Sequence, residues 1–154
     1  MSIQKNKGIT LLETLFALGI VFMLFVFGIK PFEAVRDRQI LNDATEDIEA
    51  MLQEARSNTS ASIGASNYGV HFETDSATYF AGSYYSESDP DNKQIIFTDV
   101  SITSVSLIGN GSDVVFNRIT GDTNTNGAIV VSLLNNSTKT KTITIFPIGT
   151  FMSE

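Results

Sequence analysis

A long apolar run near the N-terminus constrains this 154-residue chain more than any other feature. The run extends from Ile9 to Ile29, and its polar side chains are those of Thr10, Glu13 and Thr14. About 20 residues at a helical rise of about 1.5 Å reach about 30 Å, the thickness of the hydrocarbon core of a bilayer. Because a segment inside lipid must satisfy its own backbone hydrogen bonds, the run predicts a membrane-spanning helix.

The residues on either side of the run predict its orientation. Lys5 and Lys7 precede it, and no acidic residue comes before Glu13, which favours a cytoplasmic N-terminus.

A secretory signal peptide is the alternative, with an apolar region of about 7–15 residues and a small-residue cleavage site. The chain instead continues with the polar stretch 30–33 (KPFE) and a helical pattern, which disfavours a signal peptide.

Glu13 is the unusual residue of the run, because a lone carboxylate in lipid costs at least a few kcal/mol. One interpretation places it near the membrane surface, where it stays hydrated or becomes protonated. The other interpretation is that Glu13 neutralises a positive charge on another chain.

The N-terminal pattern resembles the type IV pilin and type II secretion pseudopilin family. The matching residues are Gly8, Ile9, Thr10, Leu11, Leu12 and Glu13, followed by the apolar helix. The resemblance implies that prepilin peptidase cuts between Gly8 and Ile9 and that the new amine of Ile9 is methylated. It also implies that Glu13 pairs with the N-terminal amine of a neighbouring subunit during assembly. Ile9 departs from the family's commonest first residue, which is Phe.

The helix is predicted to continue beyond the apolar run. Gly28 and Pro31 predict a kink where the two parts meet. Residues 30–57 show apolar side chains at spacings of three and four, which predicts an amphipathic helix that lies across a sheet. These side chains are Phe32, Val35, Ile40, Leu41, Ala44, Ile48, Met51, Leu52 and Ala55.

Residues 58–154 predict a β-rich head. Alternating runs at 68–73 and 77–81 predict a hairpin, and runs at 127–134 and 140–146 predict a closing hairpin before a short terminal strand. The predicted fold class is α+β: a long N-terminal helix, membrane half plus amphipathic half, packed on an antiparallel β-sheet domain of the pilin-like kind. The predicted divisions are a leader peptide (1–8), a transmembrane or filament-core helix (9–29), an amphipathic continuation (30–57) and the head (58–154).

A second resemblance covers residues 113–151. Phe116 and Gly121, the strand-like runs 128–131 and 142–145, and Gly149 are similar to the GspH/FimT group of minor pilins and pseudopilins. That group has a Phe-x-x-x-x-Gly stretch before two strands and a terminal glycine turn.

The composition argues against an enzyme. The chain has one histidine, His71, and no cysteine, which excludes Cys/His nucleophilic schemes and ordinary zinc sites. No P-loop is present, and neither a cofactor nor a metal is predicted. The loop 122–127 is similar to the start of a calcium loop, but Leu133 stands where a bidentate glutamate is required, so a polar hairpin loop is the prediction.

The formal net charge of −7 disfavours broad binding to nucleic acid. Lys139 and Lys141, with Arg118, could form a small basic spot, so DNA capture remains open beside the prediction that these lysines discourage strand-edge pairing.

The two resemblances imply a minor pilin or pseudopilin, assembled through its N-terminal helix into a type IV pilus or a type II secretion pseudopilus. The implied partners are other subunits, the prepilin peptidase and N-methyltransferase, an inner-membrane assembly platform and the lipid bilayer. The implied location is a single pass through the inner (cytoplasmic) membrane with the head outside the cytoplasm, and then the filament. The alternatives are a major pilin of an adhesive or DNA-uptake pilus, and a non-assembling membrane-anchored binding domain.

Overall fold

The computed structural model describes residues 9–109 and 111–154, without the side chains of residues 27–31. The elements are the helix α1 (Leu11–Ser60), a 3-10 helix (Ile63–Ala65) and the strands β1 (Tyr68–Phe72), β2 (Ser76–Ala81), β3 (Lys93–Ile96), β4 (Val100–Leu107), β5 (Asp113–Phe116), β6 (Gly127–Leu133), β7 (Thr140–Ile145) and β8 (Phe151–Ser153). The chain consists of two compact units, one that ends at Asp37 and one that extends from Arg38 to Glu154.

The strands of the second unit form two antiparallel sheets of four strands each. The first sheet has the order β3-β2-β1-β5, and the second has the order β4-β6-β7-β8. The predicted hairpins are confirmed, since β1 pairs with β2 from Tyr68–Ala81 to Phe72–Ala77, and β6 pairs with β7.

One core joins α1 and both sheets within the second unit. Alternation in β1 explains its contribution, because Val70 and Phe72 are buried while His71 between them is not. The helix contributes a stripe at spacings of three and four. Its buried apolar residues are Leu41, Ala44, Ile48, Met51, Leu52 and Ala55.

The predicted stripe of α1 is confirmed from Ile40 onward and wrong at Phe32 and Val35. The side chains of Phe32 and Val35 are 74% and 63% exposed. Their spacing matches the stripe, but both precede Arg38, where the unit that contains the core begins. Helical periodicity therefore identified a face of α1 without showing how much of that face is covered.

The predicted fold class is wrong because it assigned the strands to a single sheet, whereas the structure has two. β4 and β5 are consecutive strands in the chain, but they lie in different sheets. β5 pairs with β1 from Tyr68–Phe116 to His71–Asp113, and β4 pairs with β6. These pairings bury both Val114 and Phe116 in the common core, which a local hairpin between β4 and β5 does not require.

The fold class is also wrong in its prediction that the N-terminal half of the helix spans a membrane. Across the described residues, no helix combines the length and the apolar content needed to cross a bilayer. The predicted single-pass inner-membrane location is wrong for the same reason.

Candidate functional site

The N-terminal part of α1 exposes large apolar side chains on all sides. Each is at least half exposed, with values from 50% at Val26 to 84% at Leu11. We call this set the apolar helix surface; its residues are Leu11, Leu12, Leu15, Phe16, Leu18, Ile20, Val21, Phe22, Met23, Leu24, Phe25 and Val26. Exposed apolar surface beyond a few hundred Å² marks an interaction site, so this part of α1 is the candidate functional site.

Thr10 starts the helix that carries this surface. The backbone N–H of Glu13 donates to Thr10 Oγ1 at 3.3 Å and to the Thr10 carbonyl oxygen at 3.1 Å. The Thr14 N–H also donates to the Thr10 carbonyl. A threonine in this position satisfies backbone donors that the first turn leaves without intrahelical partners.

Glu13 lies in the first turn of α1 and is the acidic residue of that turn. A carboxylate there is favourable, because the helix N-terminus carries partial positive charge. Among the described residues, no cation forms an ion pair with Glu13.

The residues of the predicted cleavage site are only partly described. Ile9 is 77% exposed and precedes the helix, while Gly8 lies outside the described residues. The predicted kink at Gly28 and Pro31 falls in the stretch 27–31 whose side chains are also outside the description. Cleavage, methylation and the kink stay predictions.

A shallow recess marks the middle of the apolar helix surface. Leu18, Val21, Phe22 and Phe25 surround it at Gly19. A Cβ atom added at Gly19 would meet no atom within 4 Å, so the recess is open. Small residues at such positions let a second helix approach closely.

The other end of α1 is held by Arg56, which sequence reasoning missed. Its Nε donates to the carbonyl oxygen of Gly121 at 3.2 Å, and one terminal nitrogen donates to the carbonyl oxygen of Ile148 at 3.5 Å. Gly149 is adjacent, because a Cβ atom there would overlap the Gly121 carbonyl. The two glycines of the GspH/FimT-like pattern therefore meet at one place, but nothing local in the sequence connects Arg56 to them.

His71 is satisfied within the sheet. Its Nδ1 lies 2.5 Å from Asp113 Oδ1 on the paired strand β5, and its Nε2 lies 3.7 Å from Glu73 Oε1. The Tyr85 ring stacks on the imidazole at 4.0 Å between centroids. Tyr85 is therefore half-buried, whereas the neighbouring Tyr84 is 86% exposed.

In the loop 122–127, which is similar to the start of a calcium loop, the carboxylate of Asp122 is hydrogen-bonded to nearby side chains. Asp122 Oδ1 accepts hydrogen bonds from Thr120 Oγ1 at 2.6 Å and from Asn117 Nδ2 at 2.9 Å. These two donors, Thr120 first, lower the pKa of Asp122 below its ordinary value. No group of three side chains suited to a metal occurs in the part of the chain that the structure describes.

The residues of the predicted basic spot have separate surroundings. Arg118 follows β5, and its guanidinium donates to the carbonyl oxygen of Ala65 at 2.7 Å. Lys141 lies on β7 and is half-buried, and Lys139 precedes that strand. Arg118 thus fixes the connection after α1.

Comparisons of this chain with protein-family models, with curated proteins and with solved structures found no match.

Proposed function

We propose that this chain is a minor pilin or pseudopilin subunit that assembles through its N-terminal helix into a type IV pilus or a type II secretion pseudopilus. The observation that carries the proposal is the apolar helix surface with a single carboxylate, Glu13, in its first turn. Packing such helices together removes their apolar side chains from water, which is favourable in proportion to the area buried.

Glu13 gives the packing its register. Inside a bundle of apolar helices, a carboxylate without a cation would be strongly unfavourable. Cleavage between Gly8 and Ile9 creates an α-amine, and such amines have an ordinary pKa of about 7.7–8.0, so they are largely charged at neutral pH. The Ile9 amine of one subunit then neutralises Glu13 of its neighbour, while Gly19 lets the two helices approach closely.

The first test is the N-terminal sequence and intact mass of the protein from cells with an active prepilin peptidase. The proposal expects a chain that begins at Ile9 and carries one added methyl group. A chain that still begins at Met1 or Ser2 would contradict the proposed processing.

The second test replaces Glu13 with Gln. Loss of one partner from a buried ion pair costs about 3–5 kcal/mol, so recovery of the Glu13→Gln chain in sheared filaments should fall about a hundredfold or more. Glu33→Gln is the matched control, because Glu33 is an exposed carboxylate on the same helix. Equal recovery of the two variants would remove the role assigned to Glu13.

A further inference from the structure

The loop between β2 and β3 covers a buried side chain that lies outside the core. Phe80 is 1% exposed, yet it is not among the residues of the core that joins α1 to the two sheets. It points to the opposite face of the sheet from its neighbour Tyr79, which belongs to that core. On this outer face the Phe80 ring lies over Gly69, since a Cβ atom there would be 2.8 Å from the ring. Tyr85, in the loop, meets the Phe80 ring edge-on, with 5.6 Å between centroids.

Tyr85 attaches this loop to the sheet. Its ring also stacks on the imidazole of His71, nearly parallel and with 4.0 Å between centroids. We call residues 82–92 the strap loop. Its first two residues are hydrogen-bonded to Asn67. From residue 84 to residue 92, the hydrogen bonds that the structure describes are all within the loop, so this part of it is held to the sheet through Tyr85.

The imidazole on which Tyr85 stacks is surrounded by carboxylates. The side chain of His71 is 18% exposed. Its Nδ1 lies 2.5 Å from Asp113 Oδ1 on β5, and its Nε2 lies 3.7 Å from Glu73 Oε1, just after β1. The recess beside the ring is also lined by Asp75.

The other neighbours of the imidazole bring no cation to it. Thr78 lies opposite His71 on β2, and Tyr85 is the other titratable residue whose side chain contacts the ring. No lysine or arginine lines the recess in the part of the chain that the structure describes. The contacts of the ring nitrogens are therefore with acceptors.

The protonation state of His71 changes these contacts. An imidazolium has two N–H donors, one for Asp113 and one for Glu73, whereas a neutral imidazole has one. In the neutral form, one ring nitrogen presents a lone pair to a carboxylate. A positive ring is also attracted to the face of the Tyr85 ring, and the neutral ring lacks this attraction. Protonation therefore fixes the imidazole and strengthens its stacking with Tyr85.

We propose that His71 is a pH-sensitive switch that holds the strap loop against the first sheet when it is protonated and releases the loop when it is neutral. Histidine ordinarily changes charge between about pH 5 and pH 8, and carboxylates ordinarily keep their charge throughout that range. The loop is therefore held at the acidic end of the range and released as the pH rises. Release exposes Phe80, an apolar side chain that the core does not contain. The switch lies in the second unit and does not depend on the proposed function.

Hydrogen–deuterium exchange of the purified full-length protein in detergent tests the release. Protection factors, which are corrected for the intrinsic effect of pH on exchange, are measured at about pH 5.5 and about pH 8. We expect the protection of residues 82–92 to fall about fivefold or more at the higher pH, because local opening becomes more favourable. Protection of β6 and β7 should change less than about twofold. A change in the strap loop no larger than that in β6 and β7 would overturn the proposal.

The titration of the imidazole is measured on the same protein. Because His71 is the only histidine of the chain, its imidazole signals in an NMR spectrum report its protonation directly. The midpoint of loop release should lie within about one pH unit of the midpoint of this titration, since the two processes are linked. A larger difference would assign the release to another group and overturn the proposal.

Replacement of His71 with Gln removes the charge at every pH. The strap loop of the His71→Gln chain should therefore show the same protection at both pH values, to within about twofold. Unchanged protection of β6 and β7 verifies that this variant keeps the fold. A pH dependence of the loop that persists in the variant would overturn the assignment to His71.

Tyr84 and Tyr85 provide a matched pair of variants for the attachment of the loop. Tyr85→Leu removes the stacking ring and should lower the protection of the loop at the acidic pH at least to the value that the unaltered protein shows at the higher pH. Tyr84→Leu changes a side chain that is 86% exposed and should alter that protection less than about twofold. Equal effects of the two variants would overturn the role of Tyr85.

Discussion

Gly149 lies where three segments of the chain approach one another. Its φ of +77° is in the left-handed region, and a Cβ atom there would overlap the carbonyl oxygen of Gly121. The same carbonyl accepts the hydrogen bond from Arg56 Nε, so the end of α1, the loop after β5 and the turn before β8 depend on one close contact. Glycine is suited to this position because it adopts the left-handed conformation readily and because it has no Cβ atom to overlap Gly121.

We predict that Gly149→Ala lowers the free energy of unfolding by about 3 kcal/mol. The left-handed conformation costs a residue with a Cβ atom about 1–2 kcal/mol, and relief of the overlap with Gly121 adds about 1–3 kcal/mol. Denaturant unfolding followed by circular dichroism measures the change.

Gly109→Ala is the control for conformation alone. Gly109 has a φ of +95°, but a Cβ atom there would meet nothing within 4 Å. This variant should lose about 1–2 kcal/mol. Equal losses for the two variants would show that the close approach to Gly121 contributes nothing.

The helix α1 carries two kinds of apolar face. From Leu41 to Ala55 its stripe is buried against both sheets, while Phe32 and Val35 continue the same periodicity in solvent. The helical period of the apolar residues does not distinguish the buried part of the stripe from the exposed part. It shows which side of the helix is apolar, but not whether another element covers that side.

We predict that Ile48→Ala lowers the free energy of unfolding by about 2–5 kcal/mol. Ile48 is fully buried, and truncation of a buried isoleucine leaves a cavity in the core. Val35→Ala on the same helix should change stability by no more than about 0.5 kcal/mol, since its side chain is 63% exposed. A loss at position 35 comparable with that at position 48 would contradict the observed start of the buried stripe.

The whole molecule divides between Asp37 and Arg38. Every fully buried apolar side chain of the core comes from Leu41 or later, so the packing that stabilises the β-rich part lies in the second unit. The first unit carries the apolar helix surface and the proposed Glu13 contact. The core that stabilises the protein and the proposed Glu13 contact therefore lie in different parts of the chain.

We predict that a fragment of residues 38–154 unfolds in a single cooperative transition. Because the core is complete within these residues, its midpoint should lie within about 4 °C of the transition of the same unit in the full chain. Thermal circular dichroism measures both. A fragment without a cooperative transition would contradict the division of roles between the two units.

Local pattern was sufficient for the strands and for most of the helix. Alternation in residues 68–81 and 127–146 predicted two hairpins that the structure contains. This prediction was possible because the two-residue period of a strand depends only on neighbouring positions in the sequence. The run from Leu41 to Ala55 was predicted in the same way. Glu13 was singled out from sequence alone, as the one carboxylate within an apolar run, and its role in assembly stays a prediction.

Helical and strand periods are local properties, and they predicted the type and approximate extent of the helix and of the two hairpins. The tertiary structure decided which elements pair: β5 joins β1 and β4 joins β6, which produced two sheets where one was expected. It also decided the contacts of Arg56 with Gly121 and of His71 with Asp113, and the extent of the buried stripe on α1. Each of these joins residues far apart in the chain, and such contacts form only where burial of both partners in a common core outweighs the entropy of bringing the segments together.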